Sequence, residues 1–474
     1  MQTTNRRRRD VARLRRPAVG LASALVAEVL ALTLLVASSG GASAADDDWP
    51  TYHHSADRAG VAAAGSSFSD VQSTWTTGGL DGSVYAEPLY VGGHVLVATE
   101  NNTVYSIDAS SGQPIWQTHL ADPVPAGTLP CGNIRPTVGI TGTPVVDPNA
   151  GVLYAAAMVQ PAHYELYAVD LGSGSVTWHR PLDQVTEVAS EGQRGALALE
   201  QGQVYVPFGG RLGDCGGYHG QVIAASATDP SAADFAYTTP ARRAGMWAPG
   251  GVGTGPDGTL YVATGNGDAN GPEGRTEAVL ALSPSLEEAD SWQPSDWQAL
   301  DRSDTDVGSV PPALLLDQGL IFQTGKNGKG YLLKIGGLGS VGGEAYSGTV
   351  PAGCGGVFGA TAYASPLLYI PCGGKIVALR VSNNPPSFSL AWQGPGEGGG
   401  TVGAPIVVAG AVWDVDPSGR LLALDAGNGQ QRWAGDLPGQ AAKFAGLAYG
   451  GGQVYVATPE GVAAFQLVGL TSGA

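Results

Sequence analysis

The chain has 474 residues, of which 73 are Gly and 32 Pro, with 43% hydrophobic and 14% charged residues and a net charge of −17. That apolar content excludes a disordered tail, and the Gly and Pro density disfavours long helices while favouring short strands joined by turns. Gly shows no three-residue period, which excludes collagen.

The first 44 residues read as an export signal. Arg6, Arg7, Arg8, Arg9, Arg13, Arg15 and Arg16 form a basic region, an apolar stretch follows from about Leu21 to Ala37, and Ala42-Ser43-Ala44 gives a small-residue cleavage site. A retained membrane anchor is the alternative, weakened by Glu28 within the stretch. The expected organisation is a signal peptide over 1–44 and one domain over 45–474. The first 44 residues hold seven Arg, one Asp and one Glu, so the remaining 430 carry 17 basic and 39 acidic side chains, a net charge of −22. Such a surface disfavours nucleic acid and anionic lipid.

The organisation downstream is repetitive. Asp108, Gly112 and Trp116 share their spacing with Asp170, Gly174 and Trp178 and with Asp425, Gly429 and Trp433. Each copy reads as a half-buried strand, a tight turn capped by Asp and turned by Gly, and a second strand carrying Trp. Short β-branched or aromatic strands begin near Val95, Leu153, Val204, Leu260, Leu320, Leu368, Val412 and Val454, about 51 residues apart on average. This period predicts an all-β fold, an eight-bladed β-propeller. A strand around Trp75 and the strand at Val462 are unpartnered in sequence, and pairing them closes the ring. Cys131, Cys215, Cys354 and Cys372 allow three disulfide pairings, of which the short loop between Cys354 and Cys372 favours that pair, leaving Cys131 with Cys215. No C-x-x-C-H occurs, so no covalently attached haem is encoded, and no hydrolase, zinc or nucleotide motif is present.

The repeat, the opening segment WPTYHHSADRAG (49–60), and the segments YHGQVIA, MWAPGG, YVATGNG, TDVGS and GKNGKGYLL resemble the quinoprotein dehydrogenases, eight-bladed propellers that bind pyrroloquinoline quinone (PQQ), in their polyvinyl-alcohol-dehydrogenase-like branch. The resemblance covers essentially the whole chain after residue 44. It implies a planar quinone at the central axis, a Ca²⁺ ion, a catalytic Asp and a cationic partner for the quinone oxygens. Trp247 falls where the family has its stacking Trp, and Asn266 where it has a calcium-ligand Asn. A blade-packing Trp and a turn Asn explain the same two residues. Asp306, or Asp304 beside it, matches the catalytic base, against the alternative of a capped surface turn; Lys326 matches the quinone-facing cation, against an ordinary turn Lys. The family's second calcium carboxylate, a Glu, falls near Cys215, which cannot replace a hard oxygen ligand; Asp214 is the nearby carboxylate.

A rival reading places Asn266, Asp268, Asn270, Gly271 and Glu277 at the spacing of an EF-hand loop; Asp414, Asp416, Ser418, Gly419 and Asp425 imitate it, though Asp425 already belongs to the blade repeat. The leading expectation is an exported dehydrogenase that oxidises a small-molecule or polymeric alcohol or a sugar hydroxyl with PQQ and Ca²⁺ and passes electrons to an external acceptor. The alternative is a non-catalytic propeller that binds a polymer, cell-wall component or protein.

Overall fold

A computed structural model describes residues 47–395, 403–439 and 446–471. The signal segment proposed over 1–44 lies outside them. Eight sheets of mainly antiparallel strands form the blades of a propeller. Blade 1 runs from Leu89–Val91 to Pro114–His119, blade 2 from Val145–Asp147 to Val176–Pro181, and blade 3 from Ala198–Glu200 to Phe235–Arg242. Blade 4 runs from Gly253–Thr254 to Glu288–Gln293, blade 5 from Ala313–Leu315 to Tyr346–Thr349, blade 6 from Ala362–Ala364 to Pro386–Gln393, and blade 7 from Ile406–Val408 to Gln431–Asp436. Blade 8 takes three strands from the C-terminal part and its fourth, Asp70–Thr76, from the N-terminal part. Trp75 there stands opposite Ala464, so hydrogen bonds between distant parts of the chain hold the ring shut. The eight strands recognised from sequence are the second strand of each blade, and a shorter first strand precedes each. First strands of neighbouring blades touch one another, which places them around the axis.

The strand before each repeated Asp is more buried than sequence alternation suggests. Thr103–Ile107 is buried throughout, while Pro114–His119 alternates between exposed and half-buried positions. A third strand is covered on both faces by adjacent blades, whereas the outermost strand keeps one face in water.

The repeat itself is a docking device between blades. Trp75, Trp116 and Trp392 each donate an indole N–H to the carbonyl just after the repeated Asp of the next blade, on Ala109, Leu171 and Ala426, at 2.8, 2.8 and 2.9 Å. Each ring lies so close to Gly112, Gly174 or Gly429 that a Cβ there would fall 2.4–2.7 Å from it. These glycines also have φ of 69°, 71° and 74°. Gly is therefore required twice over, by the left-handed turn and by the ring stacked on it.

Both expected disulfides are present: Cys131–Cys215 spans a Cα separation of 6.1 Å and Cys354–Cys372 one of 4.8 Å. Among the described residues no helix is long and apolar enough to cross a membrane.

The segment WPTYHHSADRAG has a structural role. Its backbone bonds to Tyr90, Val146, Thr254, Tyr363 and Val407, which lie in blades 1, 2, 4, 6 and 7. Arg58, fully buried, donates to the carbonyls of Val252 and Leu197 at 3.0 and 2.9 Å. Glu87 accepts from the Trp49 indole and the His53 N–H, both at 2.8 Å. The segment thus crosses the inner strands and plugs the channel.

Candidate functional site

Above this plug lies a cavity of about 300 Å³, at the small end of ligand-binding cavities. Trp247, Asn266, Asp304, Asp306, Lys326 and Asp214 all line it. They come from the consecutive blades 3, 4 and 5 and the loops that follow blades 3 and 4, so the packing of these neighbouring blades brings them together.

Asp306 is the most buried of the three carboxylates among these residues. The only α-helix among the described residues, α1 (Trp297–Ser303), ends at Asp304, whose φ of 51° turns the chain sharply inward. Asp306 is 2% exposed, against 70% for the Asp304 side chain. Its Oδ1 accepts the Asn266 backbone N–H at 2.9 Å, and its Oδ2 meets Lys326 Nζ at 2.5 Å. Lys326 also reaches Asp304 Oδ1 at 2.7 Å, and its own N–H donates to the Asp306 carbonyl at 2.8 Å. Burial works against the ammonium, but its bonds to Asp304 and Asp306 outweigh that and hold it above the ordinary lysine value. The same ammonium stands 5.7 Å from the Trp247 ring centroid. Gly265 permits this closeness. A Cβ there would lie 2.9 Å from Trp247 Nε1 and 3.3 Å from Asp306 Oδ1.

Sequence reasoning missed the second layer. Glu277, fully buried with φ of 51°, accepts the Val307 N–H at 2.6 Å. Burial first, then the charge of Asp306, push its carboxyl up to about 9. Asp301 on α1 accepts the Gly267 N–H at 2.8 Å, and burial, with Asp306 and Asp268 adding to it, raises it to about 6. Glu277 had a signal in the EF-hand spacing, but for a different role. That loop reading fails in the structure. No helices flank it, Asp268 pairs with Arg242 and Arg243 at 3.4 and 3.6 Å, and Glu277 turns inward to Val307. Asp425 caps its blade turn by accepting the Gly427 and Asn428 N–H groups, as the repeat implies.

Another part of the lining is cationic and polar: Arg135, Arg194, Arg211, Gln193, Thr141 and Tyr164. Arg211 is buried and donates to the Tyr164 hydroxyl at 3.0 Å. Gln193 Oε1 is buried without a hydrogen-bond partner, an acceptor left for a ligand or water. Glu100 lies just behind, taking the Gly139 N–H and the Thr141 hydroxyl, both at 2.7 Å, and burial raises it to about 7. Nothing in the local sequence around these residues marked them. Cys131 and Leu212 sit at the rim, so the Cys131–Cys215 bridge fastens two rim loops.

The lining offers a flat anion an indole with Phe358 nearby (ring centroids 6.5 Å apart) and arginines, and the orphaned amide oxygen of Gln193 offers an acceptor to a donor group on the same ligand. It does not suit a calcium ion. Asp306 has both oxygens engaged, Asp214 Oδ1 takes the Tyr218 hydroxyl at 2.7 Å, and Cys215 is in a disulfide. Among the described residues no group of three or more His, Cys, Asp or Glu side chains is placed to hold a metal.

Comparison with known proteins agrees on the fold. A family model described as outer membrane protein assembly factor BamB matches residues 58–234. BamB from Burkholderia pseudomallei (strain K96243) is 34% identical over 91 residues, 19% of this chain and 24% of that relative, so the match spans about a quarter of its length. The solved quinohemoprotein alcohol dehydrogenase from Comamonas testosteroni superposes with a TM-score of 0.67 at 15% identity, covering 90% of this chain and 81% of that one. A europium-containing methanol dehydrogenase gives 0.66 at 15% identity, over 87% and 89%. BamB from Moraxella catarrhalis gives 0.55 at 13%, over 84% and 100%. The quinoprotein-like resemblance read from the sequence thus holds at the level of fold, which catalytic and non-catalytic proteins share.

Proposed function

We propose that this propeller, whose superfamily is that of the quinoprotein alcohol dehydrogenase-like folds, is an exported dehydrogenase that oxidises an alcohol or sugar hydroxyl with PQQ and hands electrons to an external acceptor. The observation that carries the reading is the convergence of Trp247, Asn266, Asp306 and Lys326 on one axial cavity. Export is supported by the signal-like N-terminus and the two disulfides.

PQQ, when bound, supplies a two-electron acceptor. Trp247 gives a flat surface for it, and Arg135, Arg194 and Arg211 offer charge to its carboxylates. Lys326 pairs with Asp306 Oδ2 and the Asn266 N–H with its Oδ1, which together fix the carboxylate in the cavity wall. Asp306 takes the substrate hydroxyl proton as general base, a step worth about 10²–10⁴-fold. The plug behind the cavity shuts the axial channel on that side, which restricts water. Adding PQQ to the purified protein and following dye reduction over an alcohol panel tests the reading. Reduction that depends on both PQQ and alcohol supports it, and no reduction with any alcohol counts against it.

The BamB matches favour a second reading, a scaffold that binds a polymer or protein on its axial face. Absence of PQQ binding, with the cavity intact, would favour it.

A further inference from the structure

We infer that the Lys326 ammonium is the built-in cation of this site, standing where a divalent or trivalent metal ion would otherwise balance Asp306, so that the cavity holds its ligand without a metal. A hard ion of the calcium kind needs about six to eight oxygens at roughly 2.3–2.6 Å, several of them carboxylate. Here each nearby carboxylate already has at least one oxygen on a nitrogen or hydroxyl donor, and Glu277 Oε1 is the buried carboxylate oxygen among them left without a hydrogen-bond partner. Asp306 Oδ2 faces Lys326 Nζ at 2.5 Å and its Oδ1 takes the Asn266 N–H at 2.9 Å. Asp304 Oδ1 points at the same ammonium, at 2.7 Å. Glu277 Oε2 and Asp301 Oδ1 accept the Val307 and Gly267 N–H groups, and Asp214 Oδ1 the Tyr218 hydroxyl.

Asp304 and Asp306, two residues apart across a left-handed turn, aim their oxygens at one point. That point is occupied by Nζ. A lysine held by two carboxylates, one of them buried, cannot give way to a hydrated cation without leaving its own charge half-buried and unpaired. The ammonium brings a single charge on a covalent tether, so it costs no affinity for a free ion. It also explains how the disulfide at Cys215 is tolerated where a calcium carboxylate would be expected. The inference concerns the counter-ion alone and does not depend on the dehydrogenase reading, because its test contains neither PQQ nor alcohol.

The test is metal binding by the full chain, with Ca²⁺ in calorimetry and Tb³⁺ in luminescence sensitised by the neighbouring Trp247. The acidic surface will bind some ions, so each measurement is referred to Asp306→Asn. Wild type and Lys326→Arg should show the same binding as Asp306→Asn. Lys326→Met should gain a Ca²⁺ and Tb³⁺ site at least about tenfold tighter than that background, and the double variant Lys326→Met/Asp306→Asn should lose it. Should Lys326→Met fail to fold, Lys326→Gln, which keeps a donor for Asp306, should show the same gain. Sensitised Tb³⁺ emission in wild type that Asp306→Asn abolishes would overturn the inference. So would a folded Lys326→Met or Lys326→Gln protein that gains no metal site, because the ammonium would then not be what fills the cation's place.

Discussion

The repeated turns at the outside of the ring and the wall of the axial cavity use the same residue types for opposite ends. Asp108 stands in solvent, and hydrogen bonds from Ser110 and Ser111 lower its carboxyl to about 2. It caps a turn. Glu277 and Asp301, behind the cavity wall, are pushed up to about 9 and about 6 by burial and by the charge of Asp306. Both regions use acidic side chains that accept backbone N–H groups, so burial decides the role. A carboxylate in water is a structural acceptor, whereas one shielded from water and set against a lysine becomes a group whose proton matters.

The largest expected effect separates the two regions by activity. Asp306→Asn should lower PQQ-dependent dye reduction about 10²–10⁴-fold while PQQ absorbance stays with the protein, whereas Asp108→Ala should leave turnover unchanged. Gly265→Ala should come next. Its Cβ would force Trp247 and Asp306 apart, so PQQ affinity measured by dialysis should fall about tenfold, in keeping with the cost of small misplacements. At the outer turns, Trp116→Ala should cost about 3 kcal/mol in urea unfolding, the low end for truncating a packed tryptophan because the ring is only half-buried. Turnover per folded molecule should not change.

The pH dependence sharpens the comparison further. A carboxyl whose folded-state value lies above its unfolded one binds its proton more tightly when folded. The stability it contributes is therefore complete below the ordinary value of 4.5 and is lost as pH rises towards about 9. Glu87 and Glu100, raised to about 8 and about 7, tilt the curve the same way. Against that background Glu277→Gln should flatten the fall in melting temperature over this window. A slope equal to that of wild type would show that Glu277 is ionised in the folded protein. Asp108→Ala should give the smallest shift in melting temperature of the set, with no change in slope above neutral pH.

Much of the fold was legible because the repeat has local causes. Asp, Gly and Trp at fixed spacing record a turn, a φ above zero and an inter-blade contact, each within fifteen residues. The partner of each Trp was not legible, since it lies one blade further along the chain. The short first strands were missed for lack of length, and the burial of the third strands because two neighbouring blades, not one, cover them. At the cavity, Trp247, Asn266, Asp306 and Lys326 were visible through the family resemblance. Glu277, Asp301 and Arg211 were not: each is placed by a backbone N–H or a hydroxyl contributed from a distant segment. The lysine's grip on Asp304 and Asp306 likewise depends on blade 5 meeting the loop after blade 4.

The most direct test of the account is equilibrium dialysis of the purified protein against PQQ, with and without Ca²⁺. If the axial cavity is a quinone site of the kind described, one PQQ should bind per chain in both buffers, and Trp247→Ala should abolish binding while Trp116→Ala keeps it. Failure of the wild-type protein to retain PQQ in either buffer, or equal retention by Trp247→Ala, would contradict it.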